Sequence, residues 1–192
     1  MSTIRSGNQP VLFVVDVQVG VMAQAWEAPR VIQNICQVVT RSREAHVPII
    51  WVQHDDEDMP RDTPEWQLVP ELKPLPTEGR IYKNFNSSFE QTDLEAQLAS
   101  LGVTHIVLAG AASNWCIRAT AHGALERGYD LTLVEDAHTT QTLDFGNGTK
   151  IEAATIVLEL NTAITWLAYP GRKNTTGKAA SVDFHLSAGK SD

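Results

Sequence analysis

Runs of apolar, β-branched residues recur along this chain, separated by stretches whose apolar positions repeat at helical spacing. Pro10-Val-Leu-Phe-Val-Val-Asp16, Val47-Pro-Ile-Ile-Trp-Val-Gln53, His105 to Ala109 and Asp130 to Glu135 are the strongest strand signals. Each is apolar without alternation, as expected of a strand covered by helices on both faces. Arg80 to Lys83 is a shorter candidate, and Ser181 to His185 a last edge strand.

Helical periodicity fills the gaps. From about Pro29 to His46, Ile32, Ile35, Cys36 and Val39 share one face, which places Cys36 in the core. Thr92-Asp-Leu-Glu95 has the form of a capping box, with Leu94, Leu98 and Leu101 behind it and Gly102 as the stop. A further helix, about Trp115 to Arg127, buries Ile117, Ala121, Ala124 and Leu125 and ends at Gly128. A second box, Thr149-Lys-Ile-Glu152, opens a helix carrying Ala153, Val157, Leu160, Ile164 and Leu167 in register, closed by Pro170-Gly171. The stretch from Asp55 to about Glu78 fits neither pattern. It is acidic, contains prolines, and is too long for a simple connection, a length usually functional or mobile.

Alternating strands and helices imply a parallel sheet with right-handed crossovers. Such sheets bind ligands beyond the carboxyl ends of their strands. That rule selects three reactive residues. Asp16 ends the first strand, Lys83 the short third one, and Cys116 follows the fourth strand at the next helix start. In Gly110-Ala-Ala-Ser-Asn-Trp-Cys116 the small residues suit a tight turn, and Ser113 or Asn114 could cap the helix. A thiol in a first helical turn near a Lys ammonium is expected to favour thiolate. Asp16 could take the thiol proton and return it to a leaving amine, while the N–H groups of Ala112 and Cys116 could form an oxyanion hole.

Composition narrows the function classes. The chain has 192 residues, enough for one domain (1–192) with a substantial core, and its 43% apolar and 20% charged content is that of a folded protein. Net charge is −8 and no Lys/Arg cluster stands out, so a nucleic-acid partner is not expected. The longest early apolar run, Val11 to Val15, is too short for a signal peptide or a membrane span. Two distant cysteines, Cys36 and Cys116, argue against a disulfide framework and for a reducing, cytoplasmic setting.

At this point the chain resembles the isochorismatase-like cysteine hydrolase family over nearly its whole length. Val-Val-Asp16-Val-Gln18 is similar to that family's apolar strand ending in Asp-x-Gln. Lys83-Asn-Phe-Asn-Ser87-Ser88-Phe89 is similar to its Lys-x-x-x-Ser-x-Phe segment. Ala109-Gly-Ala-Ala-Ser-Asn-Trp-Cys116-Ile-Arg-Ala-Thr120-Ala, then Gly128-Tyr and Glu135-Asp136-Ala137, follow in the family's order. The resemblance implies a three-layer α/β/α, Rossmann-like fold with a mostly parallel central sheet of about six strands. It also implies an Asp16/Lys83/Cys116 triad, a cis peptide at Ala111–Ala112 that turns the Ala112 N–H toward the oxyanion hole, and a homo-oligomer.

Two departures bear on the substrate. Nicotinamidases of the family carry a metal site of Asp-x-His plus a further His. Here the corresponding stretch, Val52-Gln-His54-Asp-Asp-Glu-Asp58, has the wrong spacing, so neither a metal nor any other cofactor is expected. Members that cleave a vinyl ether lack the cysteine, and Cys116 therefore favours C–N bond hydrolysis of a small amide, carbamoyl, ureido or lactam substrate. Trp26, Phe85, Asn86 and Trp115 are candidate pocket residues, each with a plainer reading as packing or a turn cap. His54 with its acidic neighbours reads as a solvated loop, and His138, beyond a strand end, as a surface or capping residue or else one lining the site.

Rivals are weaker. A phosphotransferase of the haloacid dehalogenase-like kind needs an acid where Gln18 stands, and a nucleotide-binding loop needs more than the single glycine of Asp16-Val-Gln-Val-Gly20. A non-catalytic binding or scaffold protein on the same fold remains the serious alternative.

Overall fold

The structure is a computed structural model and describes Ser2 and residues 4–184. In chain order the elements are β1 (Gln9–Val15), the short turn α1 (Val19–Met22), α2 (Ala28–Glu44), β2 (Ile49–His54), β3 (Gly79–Lys83), α3 (Leu94–Ser100) and β4 (Val103–Ala111). A π-helical turn (Ser113–Ile117) then leads into α4 (Arg118–Glu126) and β5 (Asp130–Thr139). The hairpin of β6 (Leu143–Asp144) and β7 (Lys150–Ile151), α5 (Ala153–Trp166) and β8 (Asn174–Gly177) follow. The main sheet has six strands in the order β3-β2-β1-β4-β5-β8, every neighbour parallel. Chain direction across the sheet reverses between β1 and β4, which opens a crevice at their carboxyl ends.

The non-alternating strand pattern has its cause in two covered faces. Val11, Phe13 and Val15 of β1 join one core with α3, α4 and α5. Leu12 and Val14 point the other way, to α2 and the 179–184 segment. All five are fully buried, and each such side chain contributes roughly 1.5–3 kcal/mol when taken out of water. Helix α2 presents Val31, Ile32, Ile35, Val38 and Val39 inward, with Cys36 only at the margin of that core. It stops two residues short of expectation because His46, at φ +55°, takes the left-handed conformation that ends a helix.

Several local expectations are corrected. Neither capping box forms. Glu95 pairs with Arg5 and Arg127 instead of reaching back to Thr92, whose hydroxyl donates to Ser88 O. Residues 149–151 lie in the β6–β7 hairpin, and α5 starts at Ala153, whose N–H donates to Thr142 Oγ1. The last strand is Asn174–Gly177, too polar to read as one, while 181–184 form a turn and coil; His185 lies outside the described residues. The 55–78 loop is less polar in effect than in composition. Trp66, Val69 and Leu72 are buried, and its backbone bonds to that of Val17, Val19 and Gly20 just beyond β1.

One glycine is fixed by geometry. Gly110 of β4 sits at φ +128°, and a Cβ there would lie 2.0 Å from Val15 O in β1. The two central strands approach too closely at the crevice for any side chain. Gly110→Ala is therefore expected to destabilise the fold by roughly 4 kcal/mol or more, from overpacking and backbone strain together, measured as a drop in urea midpoint.

Candidate functional site

Three strand ends deliver the chemistry. Asp16, the first residue beyond β1, adopts φ +52°, a left-handed conformation that Asp tolerates better than most residues. Its N–H donates to Val52 O at 2.9 Å, which fixes it against β2. Lys83 ends β3, one strand beyond β2, and its side chain crosses the end of β2 toward β1. Lys83 Nζ donates to Asp16 Oδ2 at 2.7 Å and to Cys116 Sγ at 3.2 Å. Cys116 lies in the π-helical turn after β4, and the Ala111–Ala112 peptide before it is cis. The structure thus brings Asp16, Lys83 and Cys116 together, with relative exposures of 1%, 1% and 8%.

Burial sets the protonation states. It draws the Lys83 ammonium down, but the Asp16 carboxylate and then Cys116 more than offset it, and the group ends above its usual value. For Cys116, burial first and the Asp16 charge second push the thiol up to about 12, against a smaller downward pull from Lys83. The thiol is therefore raised rather than lowered as expected, because loss of water outweighs the neighbouring ammonium. Asp16 Oδ1 is buried without a hydrogen-bond partner among the described residues, a free lone pair beside that thiol.

Two residues of the site were not singled out for it in the sequence. Gln18 is fully buried; its amide donates to His54 O and Trp66 O, each at 2.9 Å, and accepts from His54 N at 2.8 Å. It clips the end of β1 to β2 and to the long loop. His54, read as part of a solvated loop, has Nδ1 3.4 Å from Lys83 Nζ and Nε2 3.0 Å from Asp56 Oδ2. Its position at the end of β2, between the strands that carry Asp16 and Lys83, was the available signal.

His138 is likewise corrected from surface to interior. At 1% exposure it contacts Ser113 Oγ at 2.8 Å through Nδ1 and Asn161 Oδ1 at 2.9 Å through Nε2. Ser113 does not cap the turn, and Asn114 instead accepts from Thr140 Oγ1 at 2.6 Å. Ser88, buried beyond Lys83, bonds Thr120 Oγ1 at 2.9 Å and ties that segment to α4.

A cavity of about 200 Å³ opens beside the cis turn, lined by Val21, Ala25, Ala112, Trp115, Thr140 and Gln141 among others, all uncharged. Trp115, 52% exposed, forms its rim rather than part of the core. Trp26 does not line it but hydrogen-bonds Thr139 and Thr140 behind it. Phe85 and Asn86 are exposed on the segment after Lys83, outside this lining. A larger hollow, about 610 Å³, lies at the opposite edge of the sheet against Arg43, Glu78 and Leu101. Its charged groups are committed, Glu78 to Arg43 and Trp51, so size does not make it the reactive site. Among the described residues no group of three or more His, Cys, Asp or Glu could hold a metal ion, and no helix is long and apolar enough to cross a membrane.

An open parallel sheet with an acid, an ammonium and a thiol converging at its switch point defines an α/β protein with a nucleophile-type site. The Isochorismatase domain family matches residues 10–165, and the chain belongs to that family. A streptothricin hydrolase of Streptomyces noursei is 34% identical over 145 residues, 71% of this chain and 57% of that protein. The first three curated relatives are spanned over 57%, 49% and 64% of their own lengths. A ureidoacrylate amidohydrolase of Caulobacter segnis is 34% identical over 73 residues, 38% of this chain and 30% of that one. The crystal structure of an isochorismatase from Pseudomonas putida KT2440 superposes with a TM-score of 0.80 at 27% identity, covering 93% of each chain.

Removing one charge of the buried pair leaves the other uncompensated. Lys83→Met is expected to destabilise by roughly 3–5 kcal/mol, and Lys83→Met with Asp16→Leu to recover much of that, both read by denaturant unfolding. Acid has a separate effect. Burial lowers His105 and His138 from 6.5 to about 4, so the unfolded chain binds protons that the folded one refuses. Their contribution is complete above pH 6.5 and is lost as the pH falls toward about 4, where thermal midpoints should drop over that window.

Proposed function

We propose that this protein hydrolyses a C–N bond of a small amide-type substrate, whether amide, ureido, carbamoyl or lactam, with Cys116 as nucleophile. The observation that carries the reading is the convergence of Lys83 Nζ on Asp16 Oδ2 at 2.7 Å and Cys116 Sγ at 3.2 Å. Cys116 Sγ attacks the carbonyl carbon as its proton passes to Asp16. The C–N bond breaks, the nitrogen leaves with the proton from Asp16, and a thioester remains. Water then adds to the thioester with Asp16 as base, releasing the acid and restoring the thiol.

Lys83 holds the Asp16 carboxylate in place beside the thiol and steadies the sulfur as it takes on charge. The N–H groups of Ala112 and Cys116 bind the developing oxyanion, where one such donor contributes roughly 2.7–4 kcal/mol. Trp115 and the uncharged cavity receive the flat amide portion, with Phe85 and Asn86 on the approach and Trp26 supporting the cavity wall through Thr139 and Thr140. The names of the relatives support this class: a streptothricin hydrolase and a ureidoacrylate amidohydrolase.

The test is release of ammonia or amine from a panel of small amides, ureas and lactams. Wild type is expected to turn over at least one, with Cys116→Ala and Asp16→Asn reduced by about three orders of magnitude or more. Turnover that survives in Cys116→Ala would remove the thiol from the mechanism. Tight binding of a panel compound without turnover would favour the binding-protein alternative.

A further inference from the structure

We propose that His138 and Asn161 are positioning residues for Cys116, acting through Ser113 in the nucleophile's own turn. The inference rests on the reading of Cys116 as nucleophile. Its evidence is a continuous chain of hydrogen bonds from α5 to the turn, part-buried at Asn161 and buried from His138 to Ser113. Asn161 Nδ2 donates to Glu135 O at 2.9 Å, which leaves Asn161 Oδ1 facing His138 Nε2 at 2.9 Å. That oxygen only accepts, so Nε2 carries the proton and Nδ1 is bare. Ser113 Oγ, 2.8 Å from Nδ1, must then be the donor. Every donor and acceptor role in the chain follows from the one fixed amide.

The backbone is built to bring His138 there. Between two registered pairs, Leu108↔Leu133 and Gly110↔His138, β4 has one intervening residue and β5 has four. The extra residues of β5 shift its register against β4, and the strand returns to pair with Gly110 and Ala111 beside the cis peptide. Asn161 braces this bulge at Glu135 O and His138 on the same strand. Thr140, two residues on, holds Asn114. Ser113 and Asn114, both in the turn that carries Cys116, are thus gripped from one irregular strand. Among the described residues Lys83 alone donates a hydrogen bond to the sulfur, so its placement depends on how firmly that turn is held.

The test uses iodoacetamide, itself a small primary amide, at pH 9 in a Cys36→Ser background, so that alkylation reads Cys116 alone. Saturation kinetics separate binding (KI) from reaction (kinact). His138→Leu and Asn161→Ala are expected to lower kinact on the order of 10–100-fold with KI little changed, as a small misplacement of a reacting atom does. His138→Gln, which keeps an acceptor and a donor about as far apart as the two ring nitrogens, should restore most of the loss. Ser113→Ala combined with His138→Leu should be no slower than the worse single variant, because the residues act as one unit. Equal kinact in wild type and both single variants, with only the thermal midpoint lowered, would reduce the chain of bonds to a packing feature. Additive losses in the double variant would also overturn it. Asn161→Ala, at the partly exposed end of the chain, keeps the test available if His138→Leu does not fold. Alkylation needs no knowledge of the natural amide. Failure on the amide panel strikes the proposed reaction, whereas unchanged kinact strikes this inference.

Discussion

The site depends on one ion pair that has been taken out of water. Lys83 and Asp16 lie two strands apart in the sheet, a separation of about 10 Å at the usual strand spacing, and only a long side chain laid over the end of β2 can close it. Each buried charge forfeits several kcal/mol of solvation, recovered only through good geometry and further partners. The 2.7 Å contact supplies the first, and Cys116 Sγ and His54 Nδ1 supply the others to the ammonium. Gln18 then fixes the relative height of the β1 and β2 ends, without which the bridging distance would not be set. The carboxylate is served less completely. Its second oxygen has no hydrogen bond among the described residues, which suits the role of base proposed for it.

A second constraint runs through β4. The backbone of Gly110 presses against Val15 O, which draws the residue after β1 and the turn after β4 to the same point in the crevice. Asp16, in its left-handed conformation, and the cis peptide are the two ends of that contact. On the far side, β5 leaves its pairing with β4 for four residues before meeting it again at Gly110. Irregular backbone is therefore concentrated on both flanks of Cys116, while the strands below it are mostly apolar and in parallel register.

Much of this was legible in the sequence. Apolar, β-branched runs placed the central strands, and the rule for open α/β sheets selected Asp16, Lys83 and Cys116 before any coordinates. The parts that were not legible share a physical cause. Strand β8 contains Asn174, Thr175, Thr176 and Gly177, and its place is set by backbone pairing to β5 rather than by apolar pattern. The capping boxes failed because Glu95 found two arginines and Thr142 reached Ala153 across a hairpin, tertiary partners that outbid local ones. His138 and His54 sit in polar-looking stretches, and a single polar residue carries no periodic signal of burial. The protonation state of Cys116 was misread for a related reason: helix position and a nearby lysine are visible in sequence, whereas desolvation is a property of the packed fold.

That protonation state bears directly on the proposed chemistry. Amide nitrogen is a poor leaving group until it is protonated, so the site must supply a proton as well as a nucleophile. A resting thiolate would bring none. A thiol held up to about 12 by burial arrives with the proton attached and, in the proposed mechanism, passes it to Asp16 as the sulfur attacks the carbonyl. In the proposed mechanism Asp16, held by Lys83, takes the proton at that moment and returns it to nitrogen. Burial thus does two things with one structural feature. It withholds the thiolate from adventitious electrophiles in solvent, and it loads the catalytic proton in advance. On this account the Lys83 ammonium serves chiefly to hold Asp16 as a base, with the sulfur only its secondary partner, in keeping with its shorter contact to the carboxylate.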